Sequence, residues 1–186
     1  MTTSAPRSDS HIAVAHRDDG PAVGADGSWD RDEWQRMWFR IQGRGWRTLA
    51  VVPGDDRISA LDVANLVAGL ALDHGESMRV ADLRALRPKH LDAFLEGSRW
   101  ETSQGSRIVF ATRSVSTNPA TVPIARAADC AILCVSLGSS RLAAVRDAIE
   151  QIGSKHFLGS LLVRAPARPR SSRRRPKKHD AGSVRP

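Results

Sequence analysis

The chain has 186 residues, 41% of them hydrophobic and 26% charged, with a formal net charge of +8. This length and hydrophobic content allow one domain with a substantial core plus tails. The sequence contains no apolar run of membrane-spanning length and no charged-then-apolar signal at its start, so we expect a cytoplasmic protein.

The two ends of the chain differ in composition from its middle. Residues 164–186 hold seven Arg and two Lys against one Asp, hence +8, which equals the net charge of the whole chain. Residues 1–28 are polar, with scattered Ala, Val and Ile. Neither end can bury enough apolar surface to offset chain entropy. We therefore predict a disordered segment 1–28, a folded domain 29–163 and a disordered basic tail 164–186.

Residues 29–42 have the spacing of an amphipathic helix. Trp34, Trp38 and Ile41 recur at i, i+4 and i+7 and form one apolar stripe. This stripe predicts a helix that packs on the core. A membrane-surface helix is the alternative, because aromatic and Arg residues are mixed along it.

Strand-like and helix-like segments alternate through the rest of the domain. The predicted strands are WRTLAVV, SMRVADL, RIVFAT, CAILCVS and FLGSLLV. The predicted helices between them cover residues 59–73, a short RPKHLDAFLEG segment, the region around VPIARAAD, and SRLAAVRDAIEQIG. In the last helix we expect Leu142, Val145 and Ile149 to face inward and Gly153 to end it. Apolar strands that alternate with helices predict an α/β fold, with a mostly parallel sheet of about five strands covered on both faces.

The two cysteines, Cys130 and Cys134, lie in one predicted strand. Four strand residues separate Cα atoms by roughly 13 Å, beyond the about 7 Å that a disulfide can span. Both are therefore predicted to be buried free thiols. The six His residues show no ligand spacing with one another or with the cysteines, so the sequence predicts no metal site.

The loops that follow the first three predicted strands resemble a known set. They are similar to those of P-loop ATPases of the partition and bacterial tyrosine-kinase type, particularly the kinase modules of capsule and exopolysaccharide export. The first loop of that family reads roughly V-T-S-P-G-P-G-E-G-K-S-T-x-x-x-N-L-A, and a gap-free alignment on "NL" places Pro53 and Gly54 on its P-G. The family's I-D-x-D-L-R resembles VADLR, and its A-x-x-A-D-x-x-L-L-V-V strand resembles ARAADCAILCVS. The resemblance spans about residues 29–163 and implies a Rossmann-like, three-layer P-loop NTPase fold.

The residues that would perform phosphate chemistry in this family are replaced. A phosphate loop needs glycines that let backbone N–H groups approach, a Lys for the β- and γ-oxygens and a Ser/Thr hydroxyl for Mg²⁺. In the gap-free register Ile58 replaces a glycine, Ser59 replaces the Lys and Ala60 replaces the hydroxyl, while Asp55 and Asp56 would repel a polyphosphate. The degenerate phosphate loop thus comprises Pro53, Gly54, Asp55, Asp56, Arg57, Ile58, Ser59 and Ala60.

The metal-site positions implied by the resemblance are degenerate as well. Val80 and Ala111 stand where the family has aspartates, and Asp82 matches the second aspartate of the I-D-x-D-L-R signature. Asp82 and Arg84 either form a local ion pair or keep a relic of the site. The chain also contains no tyrosine, whereas the kinases of this family phosphorylate a tyrosine-rich tail.

The resemblance therefore implies a catalytically inactive module that acts as a binding or regulatory partner in bacterial polysaccharide synthesis and export, without a nucleotide cofactor. Its expected partner is a membrane-anchored chain-length regulator or an active paralogue, with Trp34 and Trp38 as contact residues. One alternative is a divergent ATPase or kinase that binds ATP and Mg²⁺ through Arg57 in place of the lysine. A second alternative is a partition-type factor that binds DNA or a membrane surface.

The basic tail leaves three interpretations open. Its charged cluster is Arg173, Arg174, Arg175, Lys177 and Lys178. The tail can be simply solvated, or it can contact anionic lipid, where each charge adds about 1 kcal/mol. It can also bind nucleic acid, with little sequence preference because it has no aromatic residue for base stacking. Lipid contact fits the family's setting better and predicts a peripheral location at the inner membrane.

Overall fold

Five parallel strands form a single sheet at the centre of the domain. The structure is a computed structural model that describes residues 31–137 and 140–164, so the predicted segment 1–28 and the tail beyond residue 164 lie outside it. The strands are β1 (Thr48–Pro53), β2 (Met78–Asp82), β3 (Arg107–Ala111), β4 (Cys130–Leu137) and β5 (Phe157–Arg164). Their order in the sheet is β2-β3-β1-β4-β5. β1 lies between β3 and β4, and all six of its residues are buried.

Helices cover both faces of the sheet. They are α1 (Arg31–Gln42), α2 (Ala60–Asp73), α3 (Leu91–Ser103), α4 (Thr121–Ala127) and α5 (Leu142–Ile152), with short 3₁₀ turns at Pro88–His90 and Ser154–His156. α1 and α2 pack on one face and the other three helices on the opposite face, so two cores flank the sheet. This three-layer, all-parallel arrangement confirms the predicted Rossmann-like α/β fold class.

The apolar stripe of α1 faces the core. Trp34, Trp38 and Ile41 are 5%, 0% and 3% exposed, and the Trp38 ring stacks on His74 with 6.0 Å between ring centroids. The interpretation of Trp34 and Trp38 as partner contacts is therefore wrong, because a side chain that the core covers on all sides has no surface to offer a partner. Phe39, on the outer side of the helix, is 60% exposed.

Two helices differ in detail from expectation. α3 is longer than predicted and runs for 13 residues. In α5, Val145 is buried and Ile149 packs against the core, but Leu142 is 72% exposed. Leu142 is the first residue of this helix, and its side chain lies outside the core. Gly153 ends α5 with a φ of 97°, a left-handed conformation that glycine adopts without strain.

Asp129 connects the start of β4 to the start of β1 through hydrogen bonds, at the amino-terminal end of both strands. Its Oδ2 accepts hydrogen bonds from the backbone N–H groups of Arg47 and Thr48, both at 2.8 Å, and from the Thr48 hydroxyl at 3.0 Å. The backbone N–H of Asp129 in turn donates to Thr48 Oγ1 at 2.9 Å. This aspartate therefore aligns the starts of the two strands, at the opposite end of the strands from the phosphate-loop segment.

Among the described helices, none has the length and apolar character needed to cross a membrane.

Candidate functional site

The loops after β1 and β3 flank the point where strand order reverses. The connection after β1 leads through α2 to β2 on one side, and the connection after β3 leads through α4 to β4 on the other. In parallel α/β sheets, ligands bind in the crevice outside the carboxyl ends of the strands at such a point. The candidate site therefore lies between residues 54–59 and residues 112–120.

A carboxylate bridges these two loops. Ser114 Oγ donates to Asp56 Oδ1 at 3.0 Å, and Thr117 Oγ1 donates to Asp56 Oδ2. Ser114 Oγ also lies 3.0 Å from Thr117 Oγ1 and 3.1 Å from Ser116 Oγ. The hydroxyl donors that would suit an incoming anion are therefore engaged by an anion that belongs to the chain itself.

The lowered pKa of Asp56 agrees with an ionised carboxylate that bridges the two loops. Burial would raise the pKa of Asp56, but hydrogen bonds from the Thr117 and Ser114 side chains and from the Ser114 backbone, with the charge of Arg113, hold it below its usual value of 3.8. The carboxylate is thus ionised at neutral pH and places a full negative charge in the crevice.

Gly54 is fitted to protein rather than to a ligand. Its backbone N–H donates to the carbonyl oxygen of Cys134 at 2.8 Å. A Cβ added at this glycine would lie 2.9 Å from Val145 Cγ2 and 3.3 Å from that same oxygen. In a phosphate loop glycines let the backbone approach an anion, whereas here the close approach is to β4 and α5. Pro53, the residue before it, pairs with Cys134 as the last residue of β1.

Asp55 forms hydrogen bonds within the rest of this loop through one carboxylate oxygen and its backbone carbonyl. The Asp55 carboxylate accepts from the backbone N–H of Arg57 at 2.9 Å through Oδ1, and the Ile58 N–H points to the Asp55 carbonyl oxygen at 3.5 Å. Asp55 Oδ2 is buried and has no hydrogen-bond partner among the described residues. A polyphosphate would therefore meet a second carboxylate here, which electrostatics disfavours.

The N-terminus of α2 follows the loop and is capped internally. Ser59 Oγ accepts from the backbone N–H of Asp62 at 3.2 Å, and Asp62 places its own acid in the first turn. Ile58 and Ala60 are buried at 7% and 1% exposure in the core under α1 and α2. The positive end of this helix dipole is thus complemented by protein groups, where a P-loop complements it with phosphate.

The predicted metal-site positions lie on neighbouring strands, but two of them are apolar and buried. Ala111 pairs with Asp82 across β3 and β2, and Val80 lies earlier in β2 at 2% exposure. Asp82 forms a local ion pair: Arg84 Nε and Nη2 donate to its two oxygens at 2.8 Å each. The Arg84 hydrogen bond, against some burial, lowers the pKa of Asp82. Of the two interpretations of Asp82 and Arg84, the structure therefore agrees with a local ion pair.

Arg57 is the cation of the loop, and the structure leaves its side chain exposed. Within residues 31–137 and 140–164, no group of three or more His, Cys, Asp or Glu side chains is placed to hold a metal ion. Cys130 and Cys134 are buried free thiols, and burial raises the pKa of each to about 12.

A nucleotide with Mg²⁺ does not fit the residues of this crevice. The backbone N–H groups of Gly54 and Arg57 are bonded to protein, and the hydroxyl donors of Ser114 and Thr117 hold Asp56. The metal-site positions are Val80 and Ala111. Sequence reasoning found Asp56 as a repulsive charge but missed Ser114 and Thr117. The sequence alone could have suggested them, because a run of Ser, Thr and Asn follows the third predicted strand.

A second cleft opens at the opposite end of the strands, where β1, β4 and β5 begin. This cleft of about 490 Å³ is lined by basic side chains that include Arg44, Arg47 and Lys155, together with Asp129. Arg47 donates to the carbonyl oxygen of Thr102, and Asp129 holds the start of β1. The two groups therefore serve the packing of strand starts and of α3.

Comparison with known proteins identifies the fold. No protein-family model matches the chain, and no curated protein matches it. A solved structure described as "BceF Tyrosine Kinase Domain" is similar, with a TM-score of 0.57 and 13% sequence identity over 73% of this chain and 76% of that one. At this identity the likeness shows a shared fold.

Proposed function

We propose that this chain is a binding or regulatory module that uses a kinase-like α/β fold without nucleotide chemistry. The observation that carries the proposal is the Asp56 bridge, which joins the loops after β1 and β3 through Ser114 and Thr117. It places a charge of the same sign as a phosphate at the switch point.

The chemistry of phosphoryl transfer supports the same conclusion. Catalysis of that reaction rests on positioning and on neutralising the charge of the transferred group. This crevice offers Ser59 at the lysine position, Ala60 at the metal-binding hydroxyl and Ala111 at the strand-three acid. A single replacement could be compensated by a neighbouring residue. The joint loss of the cation, the hydroxyl and the acid leaves neither the positioning nor the charge neutralisation that phosphoryl transfer needs.

The partner is proposed from the resemblance. A membrane-anchored regulator of polysaccharide chain length, or an active paralogue, is the class of protein that would bind such a module. The contact surface on α1 would be its outer side, where Phe39 is 60% exposed, since Trp34 and Trp38 are core residues.

The basic tail is proposed to hold the protein at an anionic membrane surface. Five charges, Arg173, Arg174, Arg175, Lys177 and Lys178, at about 1 kcal/mol each sum to about 5 kcal/mol, which corresponds to more than about three orders of magnitude in vesicle affinity. The affinity measured by cosedimentation with phosphatidylserine vesicles should therefore fall by roughly a thousandfold or more when all five are changed to Gln. An equal loss on duplex DNA with a steep salt dependence, and none on vesicles, would instead favour nucleic acid.

A second candidate is a divergent ATPase or kinase in which Arg57 replaces the lysine. The observation in its favour is that the Arg57 side chain is exposed on the loop after β1. A guanidinium there could contact a phosphate from outside the crevice.

Thermal unfolding with ATP or ADP, with and without Mg²⁺, separates the two candidates. A ligand that binds only the folded state stabilises it by about 2.7 kcal/mol at a hundred times its Kd. We expect no shift of Tm for the wild type or for Arg57→Ala. A Mg²⁺-dependent shift in the wild type that Arg57→Ala abolishes would establish the second candidate and refute the first.

A further inference from the structure

The two edges of the sheet are protected to different degrees. β2, at one edge, has five residues that include Arg79 and Asp82, and each of these is held in an ion pair, with Glu101 and Arg84 respectively. Short, charged edge strands are how proteins prevent unwanted strand pairing. This edge is therefore closed to another strand.

β5, at the other edge, lacks this protection. It has eight residues, FLGSLLVR, and no charged or proline residue before its last position. In the described part of the chain, no strand pairs with its outer side. Such a strand presents a row of backbone donors and acceptors that can template pairing with another chain.

An exposed apolar patch lies beside this edge. Leu162, in β5, is 58% exposed, and Leu137, at the end of β4, is 50% exposed. The β4–β5 register pairs Val135 with Leu162 and Leu137 with Arg164, so both leucines project from the same face of the sheet. Leu142, at the start of the helix that packs on this face, is 72% exposed. Exposed apolar groups grouped at a strand edge mark an interaction surface.

The sequence of β5 is self-complementary in one antiparallel register. With a two-fold axis through Leu161, this leucine faces its own copy, Ser160 faces Leu162, and Gly159 faces Val163. The small residues Ser160 and Gly159 then meet the larger Leu162 and Val163, and the next pair joins positions 158 and 164, a leucine and an arginine. Every opposed pair lies on the same face of the joined sheet, as antiparallel pairing requires. Because both partners use the same surface, the pairing is closed and forms a dimer.

We propose that two copies of this chain associate through β5, so that two five-stranded sheets become one continuous sheet. The association needs no nucleotide and stands apart from the proposed function. It covers the Leu162 side chain of each copy with the strand of the other.

Sedimentation equilibrium of the full chain tests the proposal. We expect a monomer–dimer equilibrium with Kd at or below about 100 µM. Leu162→Lys places a charge in the edge at an exposed position, so it should weaken the dimer about tenfold or more. Its Tm should equal that of the wild type when both are measured well below the Kd, where the monomer dominates. The matched control is Leu72→Lys, since Leu72 is a 51% exposed leucine at the end of α2, and it should leave the Kd unchanged.

A crosslinking experiment tests the register. Directly opposed residues of an antiparallel pair have Cα atoms about 4.5–5.5 Å apart, within disulfide reach, so Leu161→Cys should form a covalent dimer under mild oxidation. Ser160→Cys should not form this disulfide, because Ser160 is opposed to Leu162 of the other copy, two residues away from that copy's own position 160. The native thiols are buried and contribute little background.

Three results would overturn the proposal. The first is a wild-type monomer at all concentrations up to about 500 µM. The second is a dimer that Leu162→Lys does not weaken, which would place the interface elsewhere. The third is a monomeric full chain that dimerises when residues 1–28 are removed, which would mean that this N-terminal segment covers the edge itself.

Discussion

Replacement of Gly54 by Ala tests whether this glycine is present for packing or for a ligand. An added Cβ would lie 2.9 Å from Val145 Cγ2, whereas carbon atoms in contact prefer about 3.5–4.0 Å. Val145 is only 9% exposed, so its side chain has little room to move. Overpacking of this kind costs about 1–3 kcal/mol.

A partial compensation comes from the unfolded state. Gly54 is not among the described glycines with positive φ, so Ala can adopt its backbone conformation and gains about 0.4–1 kcal/mol by restricting the unfolded chain. The net expectation for Gly54→Ala is a loss of about 1–2 kcal/mol. In a domain of this size the corresponding fall in Tm is about 3–6 °C.

A double-mutant cycle in urea, followed by tryptophan fluorescence, measures the effect. Val145→Ala removes the closer of the two atoms that the new Cβ meets and leaves the Cys134 carbonyl oxygen at 3.3 Å. Gly54→Ala should therefore cost much less in that background, with a coupling of about 1–3 kcal/mol. Gly69→Ala is the control: Gly69 lies in α2, and a Cβ added there would meet no atom within 4 Å, so this change should stabilise by about 0.5–1 kcal/mol. Equal losses from Gly54→Ala in both backgrounds would refute the packing argument.

Three further predictions concern the rest of the site and the core. Asp129→Ala should destabilise the fold by about 1–3 kcal/mol, because the backbone N–H groups of Arg47 and Thr48 lose their acceptor. Asp147 is exposed on α5, so Asp147→Ala should have little effect in the same urea titration. The folded-state pKa of Asp56 lies below its usual 3.8, so its contribution to stability is present above about pH 4 and is lost as the pH falls through the folded-state value. Asp56→Asn should therefore lower the free energy of unfolding near neutral pH and flatten its acid dependence. Cys130 and Cys134, with pKa values raised to about 12, should resist a thiol reagent at pH 8 in the folded protein and react fully in denaturant.

Each of these predictions has an outcome that contradicts it. Equal stability of Asp129→Ala and the wild type would mean that water replaces the carboxylate at the amino-terminal end of the strands. An unchanged acid profile in Asp56→Asn would show that the bridge to Ser114 and Thr117 does not form in solution. Rapid labelling of either cysteine in the folded protein would place that thiol at the surface.

The alternation of strands and helices was predictable because each element carries a local pattern. β1 and β4 are unbroken apolar runs, and the α1 stripe repeats at helical spacing, so the parallel sheet and its two helical layers follow. Local sequence patterns could not predict how exposed the terminal residues of a helix are. Leu142 matches the helical stripe of α5, yet it is the first residue of that helix and is exposed.

The chemistry of the crevice was only half predictable. The residues at positions 58–60, 80 and 111, which differ from the phosphate-loop and metal-site pattern, are visible in the sequence once a register is chosen. The Asp56 bridge is not, because Asp56 lies 58 residues from Ser114 and 61 from Thr117. These residues meet only because β3 lies next to β1 in the sheet, which is a property of strand order that no single segment encodes.

Calorimetric titration of the full chain with ATP and with ADP, in the presence and absence of Mg²⁺, tests the central claim most directly. We predict no heat of binding up to millimolar nucleotide under any of these conditions, since Asp56 holds the hydroxyl donors of the crevice and the loop carries no lysine. Micromolar, Mg²⁺-dependent binding would contradict this claim and would mean that Arg57 and the loop backbone rearrange to build one.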